Sequence, residues 1–277
     1  MRCRHRLEDN PQITQNMKNL AVTLIAVLLY SCSFNGTNKS GNNIPGPSSG
    51  NKEITIMTYN VGVFSKYRDS MDDIAKLILE RGASLVSMNE LDSCNRRHDV
   101  YQLELLAKAI GYEFYFASAF PYAGGAYGNG VVSAKPILSR QRIDLPKLEG
   151  KEARSVAVVE TAECVFASVH LDVKASRLEQ VAIVNDWFTS RYTGYSKPVF
   201  LCGDMNDLPE SDTIKELEKC WCRISPIAPT FPKSSKCIDY IFTLKAAPSV
   251  EVVSAGVISE GTSDLSDHYP IVMTVRP

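Results

Sequence analysis

Several side chains in this 277-residue chain can hold a cation, move a proton or steady an oxyanion, and they share a setting. Asn60, Glu90, His170, Asp204, Asn206, Asp239 and the pair Asp267-His268 all lie at, or just beyond, the end of a predicted strand. Charged groups at such half-buried places are costly unless paired or metal-bound. If those strand ends share one rim, the set converges on a single site. It then offers oxygen ligands for a hard cation, carboxylates to accept a proton and imidazoles to contact developing negative charge. Taken singly, each residue also has an ordinary reading. Asn60 and Asp204-Met205-Asn206 suit turns, Glu90 a solvated strand end, His170 a satisfied core histidine, and Asp267-His268 the entry to an edge strand.

The elements that must position these residues follow from hydropathy patterning. Apolar, β-branched runs predict strands at 54–61, 85–88, 113–118, 131–134, 155–161, 165–170, 198–202, 237–244, 250–257 and 271–275. Helical spacing predicts helices from a Ser70 cap to Arg81, over 100–110 with Gly111 as the stop, over 174–191 and over 213–219. Gly124 to Gly130 reads as a loop. Many strands with few helices between them point to an α/β (α+β) architecture of two mixed sheets covered outside by helices.

The first fifty residues have a different character. Residues 1–19 are polar and carry Arg2, Arg4, Arg6 and Lys18, and an apolar run from Leu20 to Tyr30 follows. That run is short for a membrane span and suits the core of a signal peptide. Leu29-Tyr30-Ser31-Cys32 resembles a bacterial lipobox, in which the cysteine is lipidated after cleavage. Met17-Lys18 is the more ordinary start for such a peptide, which makes 1–16 an upstream extension. The expected division is therefore a leader at 1–31, a lipidated Cys32 with a Gly/Ser/Asn/Pro-rich tether to residue 52, and a folded domain over 53–277. Formal net charge is −1, so no global positive field gathers polyanions, which disfavours a non-specific nucleic-acid binder. Cys220 and Cys222 lack a second closely spaced pair, which argues against a zinc ribbon.

Read together and in order, the motifs resemble the endonuclease/exonuclease/phosphatase superfamily. They are Met57-Thr58-Tyr59-Asn60, Asn89-Glu90, Tyr127-Gly128-Asn129-Gly130 with Ser133, Val169-His170-Leu171-Asp172, Gly203-Asp204-Met205-Asn206, Ile238-Asp239-Tyr240-Ile241-Phe242 and Ser266-Asp267-His268-Tyr269-Pro270. The resemblance runs from about Ile54 to Val275. It implies a four-layer α/β/β/α sandwich and a phosphoester hydrolase using one or two magnesium or manganese ions. Carried over to this chain, Glu90 is the main metal ligand, with Asn60 and Asp267 beside it. Asp204 aligns or deprotonates the attacking water, and Asn206 holds the same network. His170 and His268 contact phosphate oxygens, with Asp239 orienting His268. Asn89 stands where glutamine is commoner, and Gly130 where alanine is often found. Asp172 after His-Leu resembles a bacterial subset.

The rim that selects substrate is the variable part of such a fold. Arg96, Arg97, His98, Tyr127 and Arg154 are its candidates, and Arg97, Tyr127 and Asn129 are expected at the substrate. The leading expectation is an exported, lipid-anchored monomer facing the periplasm or cell surface, which hydrolyses a small or lipid-linked phosphomonoester or phosphodiester. An exported magnesium-dependent nuclease and a catalytically silent binding lipoprotein are the alternatives, with nucleic acid not favoured as a partner.

Overall fold

Alternation along a strand sends successive side chains to opposite faces, and here the two faces meet different partners. The computed structural model describes residues 53–149 and 151–277; the expected leader, Cys32 and the tether lie outside the described residues. In β1 (Ile54–Asn60), Met57 and Tyr59 pack with helix residues, while Ile54 and Ile56 pack in a layer built mostly of strands. The same sorting repeats across the molecule and defines its layers.

One sheet has the order β11-β12-β1-β2-β4-β3 and the other β5-β6-β7-β8-β10-β9. The first comprises β1, β2 (Leu85–Ser93), β3 (Glu113–Tyr122), β4 (Gly125–Ser133), β11 (Glu251–Val257) and β12 (Ile271–Arg276). The second comprises β5 (Ser139–Leu145), β6 (Arg154–Glu160), β7 (Val165–His170), β8 (Val199–Asp204), β9 (Trp221–Arg223) and β10 (Asp239–Leu244). Helices α1 (Met71–Glu80) and α2 (Gln102–Ile110) cover the outer face of the first sheet through Ile74, Ile78, Leu103 and Leu106. Helices α3 (Arg177–Tyr192) and α4 (Asp212–Cys220) cover the second through Val181, Val184, Phe188, Ile214 and Leu217. Between the sheets lie Ile56, Leu85, Phe166, Phe200, Ile241 and Met273, all fully buried. This is the expected four-layer sandwich, with apolar burial on three levels driving its assembly.

The structure corrects several local expectations. The glycine-rich stretch expected as a loop is the first half of β4, paired to both β2 and β3. Its glycines serve close packing: a Cβ on Gly128 would stand 2.2 Å from the Ala117 carbonyl oxygen, and one on Gly130 2.4 Å from Leu103 Cδ2. The glycine at 130 in place of alanine is therefore required here. β2 does not end at Met88 but continues to Ser93, passing Glu90 through an irregularity in its pairing with β4. β5 and β9, both edge strands of the second sheet, lacked a hydrophobic pattern strong enough to be read. Among the described residues no helix is long and apolar enough to cross a membrane, and Cys164, Cys202, Cys220, Cys222 and Cys237 are free thiols.

Candidate active site

The inward alternation that buries Ile56 and Phe200 between the sheets runs on to polar residues at one end. Along β1 the inward positions are Ile56, Thr58 and Asn60; along β2 they are Leu85, Ser87 and Asn89; along β7, Phe166, Ser168 and His170; along β8, Phe200, Cys202 and Asp204. The layer changes from aromatic and aliphatic to hydroxyl to amide, imidazole and carboxylate within a few residues. Strands β1 and β2 run parallel, as do β7 and β8, so their carboxyl ends coincide and frame a crevice. Register completes the arrangement. Asn60 pairs with Asn89 in one sheet; in the other, Asp204 lies between His170 on one neighbour and Asp239 on the other.

A ladder of buried polar contacts locks the sheets beneath this end. Ser87 donates to the Ser168 hydroxyl at 2.8 Å, and Asn89 donates to the Val169 carbonyl at 2.9 Å while accepting from the Asp204 backbone N–H at 3.1 Å. Asn129, expected at the substrate, belongs to this ladder: it donates to the Ser168 carbonyl at 2.6 Å and accepts from Ser155 at 3.1 Å, fully buried. Gly203 permits the strand spacing here. A Cβ at that position, where φ is +141°, would stand 1.9 Å from the Val169 carbonyl oxygen.

Asp204 is the hub. Asn60 donates from Nδ2 to Asp204 Oδ2 at 3.1 Å and to Glu90 Oε1 at 3.2 Å, while its own oxygen accepts from the Gly62 N–H at 3.2 Å. Asn60, expected as a metal ligand, thus links two carboxylates through its amide N–H, while its oxygen accepts from Gly62 with one lone pair left over. Asn206 donates from its backbone to Asp204 Oδ1 at 2.8 Å and from its side chain to the Leu171 carbonyl at 3.0 Å. The Nε2 atoms of His170 and His268 stand 3.6 and 3.7 Å from Asp204 Oδ2. Glu90 and Asn206 both adopt left-handed backbone, φ +59° and +52°, a conformation that costs non-glycine residues energy and concentrates at working sites.

The electrostatics differ between the two histidines. His268 Nδ1 lies 2.8 Å from Asp239 Oδ2. Burial opposes its charge, but Asp239 and Asp204 outweigh burial and push it up to about 10, so it is an imidazolium at neutral pH. His170 is held well below its ordinary value by burial, then by the adjacent Arg154 guanidinium and by His268. Burial and the neighbouring Asp239 charge raise Asp204, as befits a carboxylate that takes a proton.

Asp267 accepts from Lys66 at 2.8 Å through Oδ2, while its Oδ1 and that of Asp239 are buried with no hydrogen-bond partner. The ligand atoms of Asp204, Asp239 and His268 also lie within 4.8 Å of one another. An oxygen-rich donor set with orphaned carboxylate oxygens on Asp239 and Asp267 fits a hard divalent cation, which Glu90 and Asp267 would hold. Such a cation, when bound, supplies positive charge to phosphoryl oxygens.

On the rim, Arg97 grips the buried Asp92 with two bonds of 2.7 and 2.9 Å, and His98 Nδ1 approaches the same carboxylate at 2.6 Å. The Arg97 guanidinium lies 4.9 Å from the Tyr122 ring centre and 5.9 Å from that of Tyr127, which packs on Phe120. The expected arginine–histidine rim is therefore a braced aromatic ledge whose cation is already neutralised. Arg154, also expected on the rim, is buried at 4% exposure. Asp172, whose role was open, caps the turn into α3 by accepting from Val173 and Ser176. Sequence reasoning missed Arg177, which donates to the Asn206 carbonyl at 2.5 Å and pairs with Asp207 at 3.1 Å; its spacing from His170 carries no signal without the fold.

The α/β/β/α sandwich thus brings carboxylates, amides and two histidines together at the carboxyl ends of two facing sheets. The sequence profile of the Endonuclease/Exonuclease/phosphatase family matches residues 57–268, and the chain belongs to that family, whose members act on phosphoesters. Solved structures share the fold. An endonuclease/exonuclease/phosphatase from Beutenbergia cavernae is 22% identical, with TM-score 0.66 over 81% of this chain and 71% of its own. One from Bacteroides vulgatus is 16% identical, with TM-score 0.67 over 81% and 99%. The mannosyl-6-phosphatase Bt3783 of Bacteroides thetaiotaomicron is 18% identical, with TM-score 0.64 over 80% and 99%. A search of curated proteins returned no match.

Proposed function

We propose that this protein is a divalent-metal-dependent phosphoester hydrolase that uses direct attack by water, with a small or lipid-linked phosphoester as substrate. The observation that carries the reading is Asp204 between two histidines, both Nε2 atoms within 3.7 Å of its Oδ2, with Asn60 linking Asp204 to Glu90. In this reading Asp204 receives the water proton, helped by its burial and by the Asp239 charge, which raise its affinity for one against the opposing pull of His268. His268, charged by Asp239, and His170 donate to the phosphoryl oxygens, whose charge grows in the transition state. Glu90 and Asp267 hold magnesium or manganese, and Asn206 keeps the Asp204 loop in place.

The ledge of Tyr122, Tyr127 and Arg97 receives the alcohol part of the substrate. Its guanidinium is spent on Asp92, so the ledge offers ring faces in preference to bare positive charge, which supports a ring-bearing leaving group over a polyanion. The same proposal includes export and anchoring through Cys32, supported by the Leu20–Tyr30 run and the lipobox-like residues before it. A panel of sugar phosphates, inositol phosphates, sphingomyelin, aryl mono- and diesters, and single- and double-stranded DNA, assayed with magnesium or manganese, tests it. Turnover of a small ester is the expected result; cleavage of DNA alone, steeply reduced by salt, overturns the substrate reading in favour of a nuclease.

A further inference from the structure

We infer that Arg154 is a positioning residue that fixes His170 as the tautomer carrying its proton on Nε2. Arg154 opens β6 and His170 closes β7, neighbouring antiparallel strands whose pairing includes Val156 with Val169. The Arg154 Nη1 lies 3.2 Å from His170 Nδ1, and both side chains are buried, at 4% and 6% exposure. A guanidinium can only donate, so Nδ1 must accept and the ring proton sits on Nε2. That atom faces Asp204 Oδ2 at 3.6 Å.

His268 reaches the same outcome by the opposite device. Its Nδ1 meets the Asp239 carboxylate, which demands a proton there and favours the doubly protonated ring. The site thus presents the Nε2 atoms of both rings to Asp204, each ring set by the partner of its Nδ1. The Arg154 donor at His170 Nδ1 disfavours a proton on that nitrogen and leaves the Nε2–H in place. Glu152 Oε2, 3.4 Å from Arg154 Nη2, steadies the guanidinium from the solvent side.

The use made of the His170 proton rests on the phosphoester reading, but its position does not, so the two are separable. Long-range nitrogen–proton NMR on the full chain, without substrate, reads the tautomer directly. The expected wild-type pattern is Nε2–H for His170 at neutral pH; an Nδ1–H pattern, or a doubly protonated ring, overturns the inference whatever the activity. Arg154→Met is expected to mix the tautomers and lower kcat at least tenfold with KM changed less than threefold. Arg154→Lys, which restores a donor, is expected to recover part of both. An Nε2–H signal in Arg154→Met as pure as in the wild type also overturns it. Loss of activity on every ester, with the wild-type tautomer as expected, sinks the functional reading and leaves the positioning role standing.

Discussion

The side-chain oxygen of Asn89 accepts a hydrogen bond from the backbone N–H of Asp204 at 3.1 Å, tying the strand that delivers Glu90 to the strand that delivers the hub carboxylate. The two residues lie on different sheets, so their contact sets the register between cation flank and proton acceptor. The Asn89 amide N–H binds the Val169 carbonyl at 2.9 Å, next to His170. Asn89→Ala leaves buried backbone groups on both neighbours unpaired, at about 1–3 kcal/mol for each. Urea unfolding of the variant should show that loss together with a reduced kcat. A shift below about 0.5 kcal/mol would show that Asn89 does not couple the sheets.

Asp239→Asn removes the anion that holds the charge on His268. The His268 value, raised to about 10 in the wild type, should fall toward the ordinary 6.5 when followed by NMR titration. Because the folded value is raised, this group's stabilisation is complete below the unfolded value and is lost as pH rises through about 10. The variant should therefore lose most of its stability deficit relative to wild type at alkaline pH. Its kcat should drop by about 10²–10⁴, the range for a disabled proton-transfer or donor group. A His268 titration unchanged by the substitution contradicts the pairing.

Glu90→Gln keeps the shape of the side chain and its bond to Asn60 but removes its charge. Isothermal titration with magnesium or manganese should show affinity weakened by at least about tenfold, since a hard cation prefers carboxylate to amide oxygen. Equal affinity in wild type and variant would place the cation elsewhere, among Asp204, Asp239 and His268.

Asp92→Asn unbraces the ledge. Burial alone raises a carboxyl's pKa, but hydrogen bonds from Arg97 and His98 overcome it and hold Asp92 below its ordinary 3.8. Its contribution is thus present above about 3.8 and fades as pH falls through the folded value. Hydrogen bonds to a charged group contribute about 1.5–3 kcal/mol, and the partial solvation of Arg97 discounts this to about 1–2 kcal/mol at neutral pH. Unfolding midpoints of wild type and variant should converge as pH is lowered below 4. KM for ring-bearing esters should rise while that for a minimal ester holds; a uniform rise would remove the ledge from substrate selection.

Much of this site was legible because hydrophobic alternation marks strands, and polar residues at either end of such runs stand out. His170, Asp204, Asp239 and His268 were all found that way, and register then placed the first three side by side. What hid was what depends on how the strands pair and pack. Asn129 resembles a site residue in its motif, yet both ends of its amide are spent on neighbouring strands. Arg154 looks like a rim cation until β6 is folded against β7. The glycines of β4 spell a loop because their close-packing role exists only when β3 lies against them. Glu90 was expected at a strand end; the irregularity at mid-strand, with its left-handed φ, is invisible to periodicity.

The central claim is metal-dependent hydrolysis at Asp204 and its two histidines. Initial rates of bis-para-nitrophenyl phosphate and para-nitrophenyl phosphate hydrolysis test it most directly, measured on the purified protein with manganese, with EDTA, and on His170→Ala. Turnover with metal, none with EDTA, and a loss of about 10²-fold or more in the variant are predicted. Rates indifferent to EDTA, or a His170→Ala enzyme as fast as the wild type, would contradict the account.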